Sequence, residues 1–130
     1  MAKLSPPQEE WATWKYLVMS RSQGLYNDIR QLFSGNQWTV EKEKHFRKLL
    51  ITAQETEPSL GSLRNAYQHV WGYFKKIATP EEKANFQTKL AALSLTNDQV
   101  KPLLYSLARR YKLPYLLNSR LLIEKASRTD

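Results

Sequence analysis

Residues 60–77 read LGSLRNAYQHVWGYFKKI, and their spacing decides the fold class. Leu60, Leu63, Tyr67, Val70, Phe74 and Ile77 recur at three- and four-residue intervals, the period of a helix that buries one stripe. At about 100° per residue the stripe centres between Val70 and Phe74. His69 falls about 100° to one side, with Asn65 and Lys76 further round and Tyr73 between them and the core. Asn65, His69, Tyr73 and Lys76 therefore form a polar shoulder. Gly72 lies on that side too. A mid-helix glycine costs about 1 kcal/mol relative to alanine, which points to the close approach of another helix or of a ligand.

The same period extends outward in both directions. Ser5, followed by Pro6, Pro7, Glu9 and Glu10, starts a first helix that turns Trp11, Trp14, Leu17 and Val18 to one face. A break at Ser22–Gly24 leads to a second helix with Leu25, Ile29, Leu32 and Phe33, closed by Ser34-Gly35-Asn36. Thr39 caps a third, with Phe46, Leu49, Leu50 and Ala53 inward and a charged face from Glu41 to Lys48. Residues 55–59 are a loop. After Ile77, Thr79-Pro80-Glu81-Glu82 is a capping box with proline in the first turn, opening a fifth helix on Phe86, Leu90 and Leu93. Thr96-Asn97-Asp98 restarts the chain for a sixth on Val100, Leu103, Leu104, Leu107 and Tyr111. Pro114 opens a short last helix with Leu117 and Leu121, and the tail frays from Ser127. The expectation is an all-α fold: one compact domain over residues 1–130, ordered about 5–126, of six or seven short helices in an irregular or orthogonal bundle.

At 130 residues such a domain buries roughly two-thirds of the surface its unfolded chain exposes, so it needs no metal or disulfide staple. Having no cysteine, the chain has no thiolate nucleophile, iron–sulfur ligand or disulfide, and no cofactor is expected. No apolar run approaches the ~20 residues that span a bilayer, and MAKLSPPQEE lacks a signal core; the expected setting is soluble and cytoplasmic, with no membrane partner. Charge is uneven. Residues 1–65 carry nine Lys/Arg and seven Asp/Glu, whereas residues 66–130 carry eleven and five. A basic half attracts polyanions, of which nucleic acid is the commonest.

The stretch Asn65-Ala-Tyr-Gln-His69-Val-Trp-Gly72-Tyr73-Phe74-Lys75 resembles the N-x-x-x-H-x-x-G-Y-F-[KR] signature of the YbgA-like domain family. Lys15-Tyr16-Leu17-Val18-Met19-Ser20-Arg21-Ser22 with Tyr26 is similar to its K-Y-L segment. Glu81-Glu82-Lys83 sits at the start of a further family segment, and Pro102-Leu103-Leu104, Tyr111, Pro114-Tyr115-Leu116 and Arg120 resemble its ending. The likeness runs from about Trp11 to Glu124. It departs at Trp11, where many members have histidine, and before Pro114, where the family's acid is missing. The resemblance implies a family of unassigned function whose members occur alone or behind a desulfidase domain acting on thiolated uracil in tRNA. It also implies a signature pocket of Lys15, Ser22, Asn65, His69, Gly72 and Tyr73. Without cysteine, this chain cannot perform the desulfidase reaction itself.

Three functions fit these residues. The first is RNA binding, with tRNA as partner: Lys75, Lys76, Arg109, Arg110, Lys112 and Arg120 on phosphates, and Tyr73, Trp71 or Tyr115 stacking on unpaired bases. The bland reading makes Tyr111 and Tyr115 core and the arginines solvated. A second function is docking onto a separate desulfidase or tRNA-modifying enzyme. The third is an enzyme on modified nucleosides, with Lys15, His69 and Tyr73 as acid/base candidates. Against it, the fourth helix places no acid beside His69, and no triad, metal-spaced carboxylate pair or phosphate-cradling loop is present. His45, in a Glu-Lys-Glu-Lys-His run, is expected to face solvent. Oligomeric state is not legible.

Overall fold

The computed structural model describes residues 5–35 and 37–123. They form eight helices and no strand: α1 (Pro6–Arg21), α2 (Gln23–Leu32), α3 (Val40–Glu55), α4 (Leu60–Trp71), α5 (Pro80–Ala91), α6 (Val100–Arg110), α7 (Pro114–Leu117) and α8 (Arg120–Ile123). The fold is all-α, as expected. The one helix expected after Pro114 is two single turns separated at Asn118 and Ser119, which raises the count to eight. The fraying expected from Ser127, and Asn36 of the second helix's closing turn, lie outside the described residues.

Helix starts follow local chemistry. The Ser5 hydroxyl accepts from the Gln8 amide while the Gln8 side chain reaches back, so the first turn closes as a capping box. Thr39 and Ser59 cap α3 and α4 in the simpler way, and Thr79 and Glu82 complete the expected box on α5. Asp98 does the same service for α6, its Oδ1 accepting from the amides of Val100 and Lys101. Ser22 ends α1 and starts α2: its amide donates to the Val18 carbonyl and its hydroxyl accepts from the Leu25 amide.

Where the core sits explains α1. Trp11, Trp14, Tyr16, Leu17, Val18, Met19 and Ser20 are all buried, so the helix is covered on every side rather than along one face. It packs against α4 most extensively, and against α2, α3 and α8. Arg21, at its end, donates to the carbonyls of Gln54 (3.1 Å) and Thr56 (2.9 Å), placing a cation on the C-terminus of α3. In α2 only Ile29 is fully buried; Leu25, Leu32 and Phe33 lie half-buried against the core.

The fourth helix is shorter than its periodicity suggests. It ends at Trp71 with Gly72 as its cap, and residues 72–77 continue as tight turns. The amides of Gly72, Tyr73 and Phe74 bond three residues back, to His69, Val70 and Trp71. Phe74 is still fully buried, but Ile77, expected in the stripe, is 48 % exposed because the winding has changed before it. Gly72 also needs another account than an approaching helix or ligand. Its surface is open, and the nearest atom to an added Cβ is the His69 carbonyl oxygen, 3.1 Å away.

Candidate functional site

Asn65 and Tyr73, expected on one helical shoulder with His69 and Lys76, each bond to a residue of another helix, and α4 ends before Tyr73 and Lys76. Tyr16 of α1 and Tyr73 share a hydrogen bond between their hydroxyls at 3.0 Å. At the other end Asn65 Nδ2 donates to Gln23 Oε1 at 3.1 Å. Tyr73, just past α4, thus reaches α1, Asn65 of α4 reaches the first residue of α2, and His69 lies midway in sequence between the two links. His69 is exposed, and its Nδ1 is 2.9 Å from the Asn65 carbonyl oxygen one turn back. A carbonyl only accepts, so Nδ1 is the donor in this contact. Among the described residues, no hydrogen bond or ion pair joins Lys15, His69 and Tyr73 to one another.

Tyr73 belongs to a cluster of three phenols. Its ring meets Tyr16 edge-on at 6.3 Å and Tyr115 of α7 at 5.6 Å, and Tyr16 meets Tyr115 at 6.4 Å. Tyr16 is buried, Tyr115 half-buried and Tyr73 42 % exposed, so Tyr73 is the cluster's outward face. Burial first, then the bond to Tyr73, pushes the Tyr16 phenol far above the ordinary tyrosine range; burial likewise raises Tyr115. Lys15 lies over the Tyr16 ring, its Nζ 5.9 Å from the centroid. Burial, and then the charge of Arg30, holds its ammonium below the usual lysine range. Ser22, by contrast, is occupied in joining α1 to α2.

A second contact lies beside this cluster. Phe74 meets Tyr111 at 6.2 Å, so the turn 72–77 is pinned twice: to Tyr111 just after α6 and to Tyr115 in α7. At this seam, Lys75 and Lys76 follow Phe74 in the chain, and Arg109, Arg110 and Lys112 flank Tyr111; all five are exposed. Glu82 anchors it. Its carboxylate accepts from the Tyr111 hydroxyl and from the Thr79 amide, and lies 3.3 Å from the Arg110 guanidinium. The Tyr111 bond, above all, keeps that carboxyl below the usual carboxylate range. Lys75, Lys76, Arg109 and Lys112 have no carboxylate partner among the described residues.

Two expected members fall elsewhere. Arg120 stacks over Trp14 at 4.2 Å and its Nε donates to Thr13 Oγ1 at 3.3 Å. Trp14 is two residues from Tyr16, about 200° round α1, so Arg120 serves the opposite side of that helix. There it lines an open cleft of 820 Å³ with Arg21, Tyr67, Asp98 and Lys101. Trp71, proposed as a stacking platform, is 6 % exposed and lies parallel to Phe86 at 4.4 Å and 6°. It is core. His45 is exposed on α3, as expected.

The match to a protein-family model covers residues 15–124, from Lys15 to just past α8, and so takes in both the phenol cluster and the cationic seam. The chain belongs to DUF1722, a family of proteins of unknown function. Searches of the curated proteins and of the solved structures find no significant match. For a DUF1722 chain with no characterised likeness, the side chains themselves carry the functional argument. The sequence reading named Tyr73, Lys15 and the basic residues as candidates. It missed Gln23, Arg30 and the anchoring by Glu82, which read as a cap alone; the one available signal was that Tyr111 follows a pair of arginines.

Proposed function

We propose that this DUF1722 chain is a YbgA-like domain that binds RNA, with tRNA as its partner and thiolated-uridine metabolism as its setting in the cytoplasm. The observation that carries the reading is the seam. Aromatic contacts join the turn carrying Lys75 and Lys76 to Tyr111, flanked by Arg109, Arg110 and Lys112, and to Tyr115 of α7; among the described residues Arg110 alone of these five cations has a carboxylate partner. Exposed cations without a carboxylate partner among the described residues suit a phosphate backbone, whose binding releases condensed counterions. Tyr73 sits beside them with its hydroxyl fixed by Tyr16, so its exposed ring is a preorganised surface for an unpaired base. We read the module as non-catalytic. His69 bonds to its own helix, and among the described residues no carboxylate pairs with it.

Fluorescence anisotropy with labelled tRNA across a salt series tests this. Four unpaired cations predict a slope of log K against log salt of about −3 to −4. Absence of binding at low salt, or affinity indifferent to salt, refutes the reading. Purification without nuclease, followed by sequencing and nucleoside mass spectrometry of what co-purifies, identifies the RNA and any thiolated base. A second reading, docking onto a separate desulfidase or tRNA-modifying enzyme, is favoured by the cleft on the other side of α1, where Leu95 and Ile123 are 55 % and 49 % exposed. That reading predicts weak RNA binding by the chain alone and a stable complex with the enzyme.

A further inference from the structure

The cleft lined by Arg120 is framed by bonds between elements. The Tyr67 hydroxyl of α4 donates to Asp98 Oδ2, and Asp98 Oδ1 accepts from the amides of Val100 and Lys101, so both carboxylate oxygens are engaged. Arg21 donates to the carbonyls at the end of α3, and Arg120 Nε to Thr13 Oγ1 of α1. Within this frame the buried Trp14, Leu17, Leu63 and Leu121 line the space, and the exposed Leu95 and Ile123 add apolar surface. Its 820 Å³ falls in the range of about 300–1,000 Å³ that small-molecule sites occupy. Arg120 is the cation best placed for a ligand. Its guanidinium lies over the Trp14 ring at 4.2 Å, and among the described residues no carboxylate pairs with it. Glu10, three residues before Thr13, is taken by Arg47. The ring and the Thr13 bond hold the group, while its two Nη nitrogens remain as donors.

We propose that this cleft binds a small amphiphilic carboxylate, an apolar body carrying one acid group, with Arg120 pairing the acid. A guanidinium fork suits the two oxygens of a carboxylate. The lining carries three cations, Arg21, Lys101 and Arg120, against two acids, Glu57 and Asp98. The excess of one positive charge matches a monoanion, whereas a phosphate dianion would bring unmatched charge beside Glu57 and Asp98. The apolar body covers surface that Leu95 and Ile123 otherwise expose to water. This site does not rest on the RNA reading, and it assigns to a small molecule the cleft that a docking enzyme would cover.

The probe is sodium octanoate, titrated into the whole chain and followed through backbone amide chemical shifts, with 1-octanol as its uncharged counterpart. Saturable shifts clustered on the cleft residues of α1, α4 and α8 are expected, and 1-octanol should bind about tenfold more weakly. Arg120→Gln should weaken octanoate about tenfold, the effect of losing a charge-assisted bond, and leave 1-octanol unchanged. Melting by circular dichroism checks that this variant folds. Should it not, the difference between octanoate and 1-octanol in the unaltered chain still reads the requirement for the acid. No saturable shift, equal affinity for acid and alcohol, or octanoate affinity unchanged in a folded Arg120→Gln overturns the site and leaves the cleft to a protein partner. Octanoate binding without any RNA binding keeps this site and removes the RNA reading; RNA binding without an octanoate shift does the reverse.

Discussion

Lys112 is the residue at which the proposed function and the stability of the fold pull apart. Its φ is 54°, the left-handed region, and it is the only residue other than glycine with positive φ among those described. The reason is how α6 ends. Leu113 N donates to the Ala108 carbonyl (2.9 Å) and Lys112 N to the Arg109 carbonyl (3.2 Å), the paired bonds of a Schellman stop. Glycine is the usual residue at this position. A side chain with Cβ pays about 1–2 kcal/mol for the conformation, and glycine would return about 0.5–1 kcal/mol of that through its greater freedom when unfolded. Lys112→Gly should therefore stabilise the chain by about 0.5–1 kcal/mol, or roughly 2–4 °C in Tm. The same change removes one cation from the seam, lowering RNA affinity and reducing the salt slope by about 1. Lys112→Ala separates the two effects, because it loses the charge but keeps the strain. It should bind as weakly as the glycine variant and melt with the wild type. Differential scanning calorimetry and the anisotropy series read both quantities. A glycine variant that melts no higher than wild type refutes the strain argument, and a salt slope unchanged in both variants refutes the phosphate contact.

Three further outcomes follow from the packing and the hydrogen bonds. Trp71→Ala should cost about 3–5 kcal/mol in urea denaturation, since Trp71 fills core against Phe86, whereas Trp71→Phe should leave RNA affinity unchanged; a binding loss there returns Trp71 to the interface. The Glu82 carboxyl titrates below its unfolded range, so its contribution is present above about pH 4.3 and is lost as pH falls through the folded value. Thermal melts should thus fall more steeply in acid for wild type than for Glu82→Gln, and parallel curves would exclude the linkage. The Tyr16 phenol is raised, so its contribution is present below about pH 10 and is lost as pH rises beyond it. Tyr16→Phe should cost about 0.5–1.5 kcal/mol at neutral pH and show a shallower alkaline decline, with urea midpoints at neutral and alkaline pH as the check.

Helix starts were legible from the sequence because caps are local. Ser5, Thr39 and Thr79 each bond within three residues, and each opens the helix expected of it. Helix ends were less so. The apolar period runs unbroken through Gly72 to Ile77, yet the chain leaves the helix at Gly72, where Tyr111, Tyr115 and Tyr16 take up the side chains of Phe74 and Tyr73. Those partners are 37 to 57 residues away in sequence, and no wheel drawn on one segment contains them. The burial of Tyr16, Met19 and Ser20 escaped the one-faced reading of α1 for a related cause. A wheel chooses one partner surface, and α1 has four helices around it.

Site chemistry divides in the same way. Residue types pointed to a basic and aromatic surface, but only the fold sorts them: Lys112 and Arg120 look alike in sequence, and α1 stands between their neighbourhoods. The early end of α4 does the sorting. In an unbroken helix Lys76 would follow His69 along one flank, and Lys75 would point about 100° away from it. Tightening at Gly72 instead buries Phe74 against Tyr111 and leaves Tyr73 on the surface, bonded to Tyr16. The next two residues, Lys75 and Lys76, follow in the same turn and are exposed. Glu82 completes the arrangement by holding Tyr111 and Arg110 while its own helix begins. A single carboxylate thus serves as a helix cap, as an acceptor for the ring that fixes the turn, and as the partner of Arg110. Among the described residues Lys75, Lys76, Arg109 and Lys112 have no such partner, and it is on these four that the proposed RNA binding rests.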